Sequence, residues 1–180
     1  ARECCDIIRQ MDPTVATMRA ITTCNGGEGT DWNVVQNWSG TYGGDINRYG
    51  DELKGKSQLL NGEYGAWRTL GYHKEKTLSY KDYTEENFAD ILETKVRLAE
   101  SVRDSVCGQF QWAFVSHDNP GRTQPDEALR KVDKSGPFNY KGLLTPWQQP
   151  TDAYYMYRSN YVSAGIEPMV YIVSHTWPYR

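Results

Sequence analysis

The chain alternates short apolar runs with stretches of helical periodicity. The opening segment, ECCDIIRQM, places apolar residues at helical spacing and reaches Asp12-Pro13, where proline pushes the preceding residue out of the α region. It reads as the tail of a helix. VATMRAITT follows as a strand candidate ending in the turn-rich NGGEGTDW, and WNVVQNW as a second ending in SGTYGGD. A polar helical stretch, NRYGDELKGK, leads to a third strand in SQLLNGEYGAW. The longest helix lies in TEENFADILETKVRLAESVRDS. Thr84 is its expected N-cap, and Asn87 stands where a full capping box has Glu or Gln. Phe88, Ile91, Leu92, Val96 and Ala99 keep the helical period. A fourth strand, VCGQFQWAFV, runs into a long polar loop. TDAYYMYRSNYV reads as helical, and EPMVYIVSHTW as a last strand.

Strands that alternate with helices and end in polar, aromatic loops predict βα units and a parallel sheet, with functional groups at the strands' C-terminal ends. The strands are expected near residues 15–22, 32–38, 58–63 and 107–114, all parallel. Four such units fit half of a (β/α)8 TIM barrel, an α/β fold that normally takes about 250 residues, better than a closed one. The expectation is therefore a fragment of a longer parent. Residues 1–162 would form the C-terminal barrel half, and residues 163–180 a linker and the first strand of a following β-sandwich domain.

Charge and composition narrow the function. The net charge of -3 comes from 20 basic and 23 acidic residues spread along the chain. Without a basic run to neutralise phosphates, nucleic acid is not an expected partner. No apolar stretch approaches the roughly 18 residues that span a bilayer, so no membrane partner is expected either. Six Trp and 13 Tyr, mostly beside Gly, Asn, Gln and Ser, suit a carbohydrate-binding cleft, although such side chains also bridge core and surface. Cys4, Cys5, Cys24 and Cys107 form no CxxC pair and have no companion His at metal-ligand spacing; they read as buried, reduced thiols. No cofactor is expected, and a structural or assisting divalent metal is left open.

Two segments carry candidate chemistry. In Asn61-Gly62-Glu63-Tyr64-Gly65 an apolar strand delivers a carboxylate and then turns on glycine. A carboxylate at the end of a buried strand is costly unless it is paired or used. In Gly108-Gln109-Phe110-Gln111-Trp112 a strand ends in an indole, a flat face for a pyranose ring, and His117-Asp118-Asn119 follow.

Together these segments resemble glycoside hydrolase family 2, the family of β-galactosidases, β-glucuronidases and β-mannosidases. Asp12-Pro13-Thr14 is similar to the turn after the family's acid/base helix, and Gln36 to Asp45 (QNWSGTYGGD) to its sixth strand. Gly62 to Arg68 (GEYGAWR) resembles the seventh strand, which bears the nucleophile, and GQFQWAF the eighth. YKGLLTPWQQPTDAYYMYRS is similar to the closing segment that leads into the last barrel helix. The resemblance covers nearly the whole chain.

What it implies is a retaining exo-β-glycosidase, with a β-galactosidase favoured over a β-glucuronidase or β-mannosidase. Its substrate would be a β-linked oligosaccharide or galactoside, and its location the bacterial periplasm or exterior. Glu63 would be the catalytic nucleophile and Tyr42 its hydrogen-bond donor, while Asn37, Trp112, His117 and Asp118 would hold the sugar. Two departures stand out. The family's acid/base Glu follows an Asn on a strand that would precede residue 1, so the isolated chain is expected to be inactive. Ala66 stands where many β-galactosidases carry His three residues past the nucleophile. Glu28 is the other loop-end carboxylate that could serve as acid, though it more simply caps a loop.

Two further readings compete. A non-catalytic carbohydrate-binding or structural barrel fragment would keep the aromatic rim and dispense with the carboxylate pair. A self-paired dimer of half-barrels would set two copies of Glu63 in one barrel, whereas the family's halves carry different carboxylates. Assembly of the parent into a homo-oligomer is left open.

Overall fold

The computed structural model describes residues 1–15, 17–54, 59–74, 82–117, 140–163 and 165–171. Helix α1 spans Arg2–Met11, strand β1 Asn33–Gln36, helix α2 Tyr49–Leu53 and strand β2 Leu59–Tyr64. Helix α3 spans Glu85–Glu100, strand β3 Val106–Gln111 and helix α4 Asp152–Tyr161. The chain divides into two compact units, residues 1–64 with 95–111, and residues 65–94 with 112–180.

The first unit is built on a three-stranded sheet of order β1-β2-β3, parallel throughout. Three of the four expected strands are thus present and run as expected, with sequence neighbours paired in space. Val34 and Val35 suit β1 because branched side chains pack well on a pleated surface, and Val34 is buried. In β2, Gly62 meets a packing demand. A Cβ there would stand 2.6 Å from Val34 Cγ1, closer than two carbons can approach. The register pairs Asn33 with Leu59 and Gln36 with Glu63, with an irregularity between Val35 and Gln36.

Residues 15–22 do not form the expected strand: those described are turn or irregular. A strand needs a neighbour for its ladder, and here the backbone is satisfied locally. Ile21 N–H donates to the Asp31 carboxylate at 2.7 Å, and Asp31 N–H returns a bond to the Ile21 carbonyl at 2.8 Å. Arg19 turns back to Asp12 at 2.7 Å. Asp12 also accepts from the Thr14 hydroxyl and backbone N–H, and these bonds hold its carboxyl below the ordinary aspartate range.

The buried interior of the first unit is partly polar. The Asn61 amide donates to the Tyr49 hydroxyl at 2.6 Å, and that hydroxyl donates to Gln109 Oε1 at 2.9 Å, linking α2, β2 and β3. Lys95 is buried with its ammonium on the Thr41 hydroxyl at 2.8 Å and 5.4 Å from the Tyr49 ring centroid. Burial pulls its pKa down to about 7, against the opposing pull of the Glu52 charge.

In the second unit, Thr84 caps α3 as expected: its hydroxyl accepts from Asn87 N–H at 3.1 Å. Phe88, Ile91 and Leu92, the part of the apolar stripe of α3 that lies in this unit, are buried, as are Val96 and Ala99 in the first unit. Arg68, fully buried, pairs with Glu85 at 2.7 Å and stacks on Phe88 at 4.1 Å from the ring centroid. Burial lowers the Arg68 pKa, while the Glu85 charge and hydrogen bond oppose the shift. The expected last strand covers residues 167–177; residues 167–171 form no strand, and residues 172–180 lie outside the described residues.

The cysteines differ from expectation. None of the four forms a disulfide, but only Cys5 is buried, while Cys4, Cys24 and Cys107 are exposed. Among the described residues no helix is long and apolar enough to cross a membrane.

Candidate active site

Glu63 sits near the C-terminal end of β2, the central strand, and is half-buried. Both carboxylate oxygens accept hydrogen bonds from neutral donors. Trp38 Nε1 donates to Oε1 at 3.1 Å, and Gln36 Nε2 donates to Oε2 at 3.2 Å. Gln36 reaches the carboxylate because the β1–β2 register sets it opposite Glu63. Its amide also lies 2.6 Å from Cys24 Sγ. The backbone joins in, with Asn37 N–H on the Glu63 carbonyl at 2.9 Å.

The loop carrying Trp38 is held from its far side. Thr41 N–H donates to the Trp38 carbonyl at 2.9 Å, and the Thr41 hydroxyl accepts from the buried Lys95. Gly40, at φ 80°, lies where a Cβ would come 2.5 Å from Ile46 Cβ, so this turn requires glycine.

The sequence-derived candidates fare unevenly. Tyr42, expected to donate to Glu63, stands half-exposed with its ring edge-on to Trp38 at 5.1 Å. It braces one of the donors that the structure places on the carboxylate. The donors themselves, Gln36 and Trp38, both stand in the QNWSGTYGGD segment, and the β1–β2 register sets Gln36 opposite the carboxylate. Asn37 lies just past β1, but its amide nitrogen donates to Glu52 at 2.9 Å and its amide oxygen accepts from Ser39 N–H at 2.9 Å. Those bonds leave the amide less free for a sugar hydroxyl than expected. Glu28 is an exposed partner of Arg2 at 3.2 Å, an arrangement unlike that of a buried catalytic acid.

In the second unit, the Trp112 and His117 rings lie perpendicular at 6.4 Å between centroids. Trp112 is 46% exposed. The Trp112–Ala113 peptide is cis. Asp118 lies outside the described residues.

No family model matches the chain. It is 28% identical, over 97% of its length, to a Formosa agariphila protein named "putative beta-glucuronidase", of which it covers 23%. Among solved structures it is similar to Parabacteroides merdae beta-glucuronidase with glycerol in its active site, at 21% identity and a TM-score of 0.74, over 98% of this chain and 22% of that one. It is also similar to a GH2 beta-galacturonidase from Eisenbergiella tayi, at 20% identity and a TM-score of 0.65, over 89% of this chain and 30% of that one. The chain therefore has a parallel α/β fold similar to part of these proteins, and it spans about a quarter of the length of the proteins it matches.

Proposed function

We propose that this chain is the nucleophile-bearing part of a retaining exo-β-glycosidase and that Glu63 is the nucleophile. The observation that carries this reading is a half-buried carboxylate near the C-terminal end of the central parallel strand, each oxygen held by a neutral N–H donor. Active sites in such folds collect at that end of the strands. An indole and an amide orient the carboxylate without binding it into an ion pair, so a lone pair can be aimed at an anomeric carbon.

In the reaction proposed, a Glu63 oxygen attacks the anomeric carbon as the glycosidic C–O bond breaks, and a second carboxyl group protonates the leaving oxygen. Water then attacks the same carbon, gives its proton to that second group and frees Glu63. The two carboxyl groups must stand about 5 to 5.5 Å apart. The family resemblance puts the second on a strand before Ala1. By the same resemblance, the sugar's stacking face falls to Trp112.

For the sugar, the motif resemblance favours a β-galactoside, whereas the compared proteins are named for glucuronides and galacturonides. We take a terminal β-hexuronide as the leading substrate. A panel of aryl β-glycosides assayed with the full-length parent decides this point; preference for the galactoside would reverse the choice and leave the mechanism intact.

The mechanism is tested at Glu63. In the full-length parent, Glu63→Ala should lose several orders of magnitude in turnover, and added azide should restore part of it while yielding a glycosyl azide of inverted configuration. A small anion can occupy the vacated space and attack in place of the carboxylate. Near-normal turnover of Glu63→Ala would remove Glu63 from the reaction.

A further inference from the structure

His73, Glu86 and Asp152 converge in the second unit, one potential ligand atom from each lying within 4.8 Å of the others. They come from three separate stretches: the loop after β2, the first turn of α3 and the first turn of α4. Glu86 is buried, and His73 and Asp152 are partly exposed. His73 Nδ1 and Glu86 Oε1 are 2.7 Å apart, and Lys74 N–H donates to the other Glu86 oxygen at 3.3 Å.

Two carboxylates brought together, one of them buried, repel each other unless a positive charge stands between them. His73 supplies one only when protonated. Arg68, a buried cation of this unit, pairs with Glu85, and its charge also acts on Asp152.

We infer that His73, Glu86 and Asp152 form a binding site for one divalent transition-metal ion of the Zn2+ class. The donor set is one imidazole nitrogen and two carboxylate oxygens. The nitrogen favours Zn2+ and its neighbours over Mg2+ and Ca2+, which prefer all-oxygen sites. Zinc bonds of about 2.0 to 2.2 Å place tetrahedral ligand atoms roughly 3.4 Å apart. The trio, at its widest, closes by roughly 1.4 Å around an ion, and the His73–Glu86 hydrogen bond gives way to two metal bonds. Water fills the remaining position. The ion would pin the loop after β2 to the first turns of α3 and α4, a structural role that needs no part in sugar chemistry.

The test uses the full-length parent, stripped with a chelator and titrated with Zn2+ by calorimetry and with Co2+ as a visible-absorption probe. His73→Gln and Asp152→Asn are the variants, because both side chains are partly exposed and the replacements keep similar volume. The expected result is one equivalent of Zn2+ bound, a d–d band on Co2+ addition and a raised unfolding midpoint. Each variant should bind at least about tenfold more weakly with an unchanged circular dichroism spectrum. Absence of stoichiometric binding by the wild type would overturn the site and leave a hydrogen-bonded His–Glu pair. Equal affinity in the wild type and both variants would place the ion elsewhere. Stabilisation by Mg2+ or Ca2+ but not by Zn2+ would overturn the ion class.

Discussion

The indole N–H of Trp38 donates to Glu63 Oε1 at 3.1 Å, so a residue two positions past the end of β1 holds the carboxylate of β2 from the side. The bond is directional and is made by a neutral donor, which suits a group that must keep its charge and its aim. A hydrogen bond to a charged group is worth about 1.5 to 3 kcal/mol. Trp38→Phe keeps most of the ring and removes the donor. In the full-length parent kcat should fall by roughly 10- to 100-fold, with KM changed far less. An unchanged kcat would show that the bond does not act on the reacting carboxylate.

Arg68 closes the GEYGAWR segment and is fully buried. It is held by Glu85, the Tyr140 carbonyl at 3.2 Å and the Thr151 hydroxyl at 3.3 Å. Removing one member of a buried pair strands the other, at a cost of about 3 to 5 kcal/mol. Arg68→Met should therefore lower the unfolding midpoint sharply. The double variant Arg68→Met with Glu85→Leu should recover part of the loss, because it removes the stranded charge as well. Strict additivity of the two single losses, measured by denaturant unfolding, would refute the coupling.

Much of this architecture is legible in the sequence because its signals are local. The branched pair Val34-Val35, the apolar stripe of α3 with its Thr84 cap, and the strand-then-glycine pattern around Glu63 each report a structure that neighbouring residues enforce. What was not legible depends on partners distant in the chain. Residues 15–22 alternate like a strand, but alternation does not record that Asp31 occupies the backbone groups of Ile21. Tyr42 looks like the better donor by chemistry, yet the Gln36–Glu63 register and the position of Trp38 decide which N–H groups arrive. His73, Glu86 and Asp152 lie on three separate segments and leave no spacing motif to read.

Lys95 ties stability to pH. Its folded pKa is near 7, whereas an unfolded lysine titrates near 10.4. Between these values the unfolded chain binds the extra proton, so stability rises with pH across that window. Below about 7 the full cost of burying the charge is present. Comparison with Lys95→Met cancels the other titrating groups. The wild type should gain on the variant as pH goes from 7 to 10, by at most about 1.4 kcal/mol per pH unit. A pH-independent difference in unfolding midpoint would mean that Lys95 keeps an ordinary pKa.

Gly62 immediately precedes Glu63, and the space its missing side chain leaves is filled by Val34 across the β1–β2 pair. Gly62→Ala would set a methyl group 2.6 Å from Val34 Cγ1, and either β2 or Val34 must shift. Overpacking of this kind costs about 1 to 3 kcal/mol. A displaced β2 also carries Glu63 away from Gln36 and Trp38, so activity should fall by more than the folded fraction accounts for. Val34→Ala removes the obstructing carbon and leaves a small cavity of its own. In the double variant Gly62→Ala with Val34→Ala, turnover should therefore recover above that of Gly62→Ala alone, a non-additive result expected only if the two side chains compete for one volume. If the double variant is no better than Gly62→Ala, the glycine is needed for backbone freedom and not for the approach of Val34, and the packing account of the Glu63 position fails.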